Sequence, residues 1–179
     1  IYLKPLKELP GWLKKELWGF LAYLDYGDNP FQVTDHYIFG TNIAFTREIL
    51  NRVGFFNVEL GRSAYIPAGG EETEFLKRIS KAGGKIYYCP DAKVHHLVEG
   101  YKLQKKYFRR LHYYDGLNNG KVYDGEIKRH FRGIPFFIFP QFLRGLLKFI
   151  KSPTLRMQMN IWWYLGFMKG RVLEYKNRH

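Results

Sequence analysis

The sequence predicts a mixed α/β chain that ends in amphipathic helices. Three observations lead there. Between His36 and Val98, short strand-type runs alternate with helix-type stretches and are punctuated by glycine and proline. Ahead of them, Leu13, Leu17, Phe20, Leu21 and Leu24 recur at amphipathic-helix spacing. From Tyr101 onward the chain turns basic, aromatic and helical. With 179 residues, of which 46% are hydrophobic and 18% aromatic, the chain can bury a core. The expected organisation is an α/β part over residues 1–100 and a helical C-terminal region over residues 101–179.

Each element has its own signal. Pro10-Gly11 opens the first helical stretch and Gly27-Asp28-Asn29-Pro30 closes it. Tyr37-Ile38-Phe39 reads as a strand. Thr46 caps a short helix through Val53, and Gly54 follows where a helix end favours a left-handed residue. A second helix runs from Glu71 to Ala82, with Leu76 and Ile79 inward and Gly83-Gly84 ending it. Ile86-Tyr87-Tyr88 and Lys93-Val94-His95-His96-Leu97 read as two short strands. Leu103, Tyr107, Leu111 and Tyr114 then share one helix face, and Asn118-Asn119-Gly120 reads as a turn. A last helix follows Ser152-Pro153, with Met157, Ile161, Leu165, Met168 and Val172 on one stripe.

Charge is lopsided: 29 Lys and Arg against 16 Asp and Glu give a formal +13. That balance predicts an anionic counterpart without choosing among nucleic acid, an acidic membrane surface and phosphorylated substrates. The single cysteine, Cys89, excludes an intramolecular disulfide and suits a reducing compartment or simple apolar packing. The chain starts at Ile1, shows no signal peptide, and reads as a piece of a longer chain.

The most informative cluster is Gly69-Gly70-Glu71-Glu72-Thr73-Glu74-Phe75. Two glycines let the backbone turn sharply and present acids at a helix start, where the dipole and free N–H groups favour the anionic form. A carboxylate held near such a terminus can act as a general base toward a hydroxyl. Acids in a first helical turn are commonplace, so the cluster gains meaning only from its neighbours.

Four segments follow one another in an order that resembles family 2 glycosyltransferases. Leu9-Pro10-Gly11-Trp12-Leu13, followed by Leu24-Asp25-Tyr26-Gly27-Asp28, is similar to the entry into that family's acceptor half. Gly40-Thr41-Asn42-Ile43-Ala44-Phe45-Thr46-Arg47-Glu48 resembles G-x-N-x-A-F-x-R-E, and Val53-Gly54-Phe55-Phe56-Asn57 with Leu60-Gly61 follows it. Gly70-Glu71-Glu72-Thr73-Glu74-Phe75 resembles G-E-D-x-D/E-F/L, and Pro90-Asp91-Ala92-Lys93-Val94-His95-His96 resembles P-x-A-x-V-x-H.

The resemblance covers almost the whole chain and is strongest from His36 to His96. It implies a partial GT-A fold, the acceptor-side half, lacking the N-terminal nucleotide-binding half. No D-x-D motif occurs; the nearest spacing is Asp124-Gly125-Glu126, in a late polar loop, and no glycine-rich phosphate loop is present. Alone, such a half is expected not to turn over.

The implied activity is inverting transfer of a sugar from a nucleotide-sugar donor to a saccharide or lipid-linked acceptor, in polysaccharide or glycolipid synthesis. Glu72 stands where the family has its base, with Glu in place of the commoner Asp, which sets the carboxylate one methylene further out. Glu71 would orient the acceptor or the base, and Glu74 would hold a hydroxyl or cation. Gly40 and Asn42 would border the donor sugar; an ordinary turn with a self-capping Asn is the other reading. His96 would ligate a divalent cation, Mn²⁺ or Mg²⁺, or serve structure only. Arg109 and Arg110 would steady an anionic group, or form a solvated face over an aromatic core stripe.

The run GIPFFIFPQFL from Gly133 to Leu143 is too short to span a bilayer, which takes about 20 apolar residues. It reads either as a membrane-interfacial segment flanked by Arg132, Arg144, Lys148 and Lys151 or as a buried helical pair. The expected place is therefore cytoplasmic, peripheral on the inner face of the cell membrane. A noncatalytic basic module binding nucleic acid or anionic membrane is the competing class. It leaves the G-E-E and P-x-A-x-V-x-H segments unexplained, no recognised nucleic-acid motif occurs, and no nucleic acid is expected as partner.

Overall fold

A computed structural model of the chain describes residues 1–34, 38–58, 71–123, 125 and 129–178. The chain is a mixture of helices and small two-stranded sheets. It falls into two compact units: of the described residues, 1–34, 38–58 and 71–103 belong to the first, and 104–123, 125 and 129–178 to the second.

In the first unit, β1 (Tyr2–Pro5) pairs in parallel with β4 (His95–Val98), from Tyr2 opposite His95 to Pro5 opposite Val98. β2 (Phe31–Gln32) pairs antiparallel with β3 (Tyr87–Tyr88). The rings of Tyr26, Phe31 and Tyr88 close over this second ladder at 5.3 to 6.0 Å. Tyr88 also accepts from the Tyr26 N–H and donates to the Gly27 carbonyl.

The amphipathic stretch from Leu13 to Leu24 is not an α-helix. It forms a 3₁₀ helix over Lys15–Leu21 that stops at Ala22, whose φ is 68°. Leu13, Leu21 and Ala22 are buried all the same. Gly19 weakens an α-helix here. The side chain of Trp18, meanwhile, donates back to the Leu13 carbonyl at 3.2 Å and packs its ring on Tyr23. These contacts within the stretch accompany a tighter turn than the apolar spacing suggests.

Ile38 and Phe39 are not in a strand either; they lead into a 3₁₀ turn over Gly40–Asn42, and Tyr37 lies outside the described residues. α1 (Arg47–Val53) and α2 (Glu71–Lys81) form where expected. The Thr46 hydroxyl accepts from the Ile49 N–H, and Gly54 follows α1 at φ 79°. At the end of α2, Gly83 N–H donates to Ser80 O and Gly84 N–H to Ile79 O, a paired closure that needs the positive φ of Gly83. Phe75 is wholly buried among the rings of Phe45 and Phe56, with Ile79 beside it on the inward face and Leu76 half-buried.

In the second unit, α3 (Lys105–Val122) packs along α5 (Leu155–Arg178). The expected turn at Asn118-Asn119-Gly120 is helix. Asn119 turns its amide back to Asp115 O at 2.8 Å instead of capping a bend. Gly120 is required by the neighbouring helix: a Cβ there would collide with the Phe167 carbonyl. Gly116, Gly166 and Gly170 are in the same position, each facing backbone of the opposite helix. Two glycine pairs, each four residues apart, thus bring the two backbones into contact.

The buried stripe of α5 runs through Met159, Phe167 and Arg171, not through Leu165, which is exposed. The apolar count along α5 missed the glycines that set the packed face.

A two-residue turn with positive φ at Arg132 and Gly133 joins β5 (His130–Phe131) to β6 (Ile134–Pro135). α4 (Ile138–Lys151) follows and packs on α5. The apolar run from Gly133 to Leu143 is therefore divided between this hairpin and the start of α4. Ile134, Ile138 and Phe167 form the local core. Arg171 is buried there, donating to the carbonyls of Gly133, Gly120 and Tyr123 at 3.0 to 3.2 Å. Its charge is solvated by backbone oxygen, as a buried cation requires.

Candidate functional site

The first turn of α2 presents Glu71, Glu72 and Glu74 at the positive end of the helix dipole, and all three are half-buried. Glycine at position 40 brings a second segment up against them. A Cβ on Gly40 would stand 2.5 Å from Cγ and 2.7 Å from Oε1 of Glu72, closer than any real contact. Glycine is therefore what allows the Glu72 side chain to lie against the 3₁₀ turn. Glu72 takes part in neither the Glu74–Arg78 nor the Glu99–Lys102 ion pair.

The three acids do not share one task. Glu74 gives both oxygens to Arg78, at 2.7 and 2.9 Å. Arg78 in turn donates to the carbonyls of Val53, the last residue of α1, and Phe55 just beyond it. Hydrogen bonding to Glu74 raises the guanidinium pKa above its ordinary value, so the cation is permanent. Glu74 thus ties α2 to the end of α1, and its carboxylate is occupied where the sequence suggested a substrate hydroxyl or cation. The sequence reading passed over Arg78, although an acid four residues ahead of an arginine on one helix face was its signal.

Asn42 uses its amide to donate to the Ala92 carbonyl at 2.6 Å. The bond fastens the 3₁₀ turn to the Pro90–Ala92 loop, so two of the four motif segments are joined through it. Asn42 also lines a cleft of about 500 Å³. Its wall is largely apolar, with Ile38, Ile49, Leu76 and Ile79 beside Arg52 and Lys85. Gly40, Glu72 and His96 are not among the residues that line it.

His96 is half-buried on β4 opposite Leu3, and His95 is exposed on the other face of the strand. Among the described residues no three His, Cys, Asp or Glu side chains converge. No step is assigned to a cation. Near this strand, the hydrogen bond from Lys102 holds the Glu99 carboxyl below its usual pKa.

Arg109 and Arg110 belong to the second unit, on α3. Arg109 donates to Gln158 Oε1 at 3.4 Å, and Arg110 lies over the Tyr114 ring at 5.7 Å. Farther along α3, burial holds the His112 pKa below its ordinary 6.5, partly offset by its contact with the Phe108 carbonyl.

Compared with known proteins, the chain matches no family model, no curated protein and no solved structure.

Proposed function

We infer that this chain is the acceptor-side half of an inverting, family 2-like glycosyltransferase. The contact between Gly40 and Glu72 carries the reading, because it joins two of the segments that together resemble that family. In the reaction, the oxygen of an acceptor hydroxyl bonds to the anomeric carbon as the bond from that carbon to the nucleoside diphosphate breaks. The acceptor proton passes to the Glu72 carboxylate, and the diphosphate leaves with the electron pair. Glu71 orients the acceptor. Asn42 holds the 3₁₀ turn so that Gly40 keeps the base in place. Gly40 and Asn42 border the donor sugar, while the nucleotide-binding half of such an enzyme binds the nucleoside diphosphate and a divalent cation.

The test is a panel of sugar nucleotides incubated with the full-length protein, reading hydrolysis and transfer. Glu72→Gln is expected to bind donor as before and to lose about a hundredfold or more in turnover. Wild-type turnover in that variant overturns the assignment. Gly40→Ala should push the Glu72 side chain aside and slow turnover about tenfold or more, with the thermal midpoint unchanged. Equal rates in Gly40→Ala and wild type would show that the contact is packing alone.

A further inference from the structure

We propose that α4 is a membrane-docking helix that lies flat in the interface of a bilayer rich in anionic lipid. Phe139, Leu143, Leu147 and Ile150 recur at steps of three and four and are 37 to 74% exposed. Phe136 and Phe137 are exposed just ahead of them, and the Phe136 and Phe139 rings are 6.1 Å apart. The opposite side of the helix is already used: Ile138 and Gly145 are buried, and Phe142 and Gln141 meet Tyr164 of α5. The helix is therefore apolar on two sides, and among the described residues of the second unit only one side is packed.

Charge decides what covers the other side. Arg144, Lys148 and Lys151 flank the exposed stripe, on one edge of the helix. From Ile127 to Leu173 the sequence holds nine Lys or Arg residues and no Asp or Glu. An aqueous protein partner would have to supply both a hydrophobic groove and a long acidic border. An anionic bilayer offers both at once, apolar interior below and phosphate at the rim. Among the described residues no helix is long and apolar enough to cross a membrane, so the contact is in-plane. The proposal is independent of the sugar-transfer reading, since docking requires no turnover.

The test is flotation of the 179-residue chain with phosphatidylcholine vesicles, with and without about one third phosphatidylglycerol. Binding to the anionic vesicles should exceed binding to neutral ones at least tenfold. Leu143→Ser with Ile150→Ser, both exposed positions whose exchange leaves the core intact, should remove most of it. Neutralising Arg144, Lys148 and Lys151 to Gln should lower anionic partition about fivefold per residue. A fluorophore attached at Ile150→Cys in a Cys89→Ser background should blue-shift on anionic vesicles. One attached at exposed Gln141→Cys, near the packed face, should not. Three results overturn the proposal: a wild-type chain that stays unbound, binding that survives the double Ser exchange, or equal blue shifts at the two probes. An acidic protein partner is favoured if the chain ignores both kinds of vesicle.

Discussion

Among the described residues of the first unit no helix exceeds the 11 residues of α2, and each sheet has two strands. In the second, helices of 18 and 24 residues lie with backbones touching along two glycine pairs. The first unit is held by long-range side-chain ties: Asn42 to Ala92, Tyr88 to Gly27, and Arg78 to the end of α1. The second is held by a continuous seam, where removal of side chains is what makes contact possible. A catalytic group needs a placed side chain, and a scaffold needs a close fit. The two regions are built for those two needs.

Breaking the seam should give the largest effect. Gly166→Leu drives a side chain into the Tyr113 carbonyl and should destabilise the second unit by about 3 kcal/mol in denaturant titrations. Even Gly166→Ala should destabilise, although at an exposed helix position that exchange gains about 1 kcal/mol. A stabilised Gly166→Ala variant would remove the seam from the account.

Two threonine caps sharpen the same comparison. Thr46 accepts from Ile49 N–H at the head of a 7-residue helix, and Thr154 accepts from Met157 N–H at the head of a 24-residue one. Thr46→Ala should cost about 1 kcal/mol, whereas Thr154→Ala should cost less because α5 is fixed along its length. Equal losses would show that the seam does not reach the first turn of α5.

The smallest effect is a pH dependence in the second unit. His112 has a folded pKa below 6.5, so below that pH the unfolded chain takes the proton first. Stability is therefore full above pH 6.5 and falls as pH drops through the interval down to the lowered folded value. Thermal midpoints at pH 7.5 and pH 5.0 should converge in His112→Gln relative to wild type. An undiminished difference would place the titration elsewhere.

Local signals were legible in the sequence where local chemistry decides. Thr46, Gly54 and Gly83 mark helix ends because capping and positive φ depend on one or two residues. The acids at the head of α2 were readable for the same reason. Gly120 was misread because its meaning comes from Phe167, far along the chain. The stretch ending at Leu24 was misread because Trp18 and Tyr23 override its apolar period. The contact of Gly40 with Glu72 had no sequence signal beyond the presence of both residues; only folding brings them together.

The pairing of β1 with β4 bears on how the chain is made. Its partners lie about ninety positions apart, so the first unit cannot close this ladder until nearly all of it has left the ribosome. Until then the β1 edge stays open to any neighbouring strand. Synthesis speed, and whatever shields that edge during it, should govern the yield of folded protein.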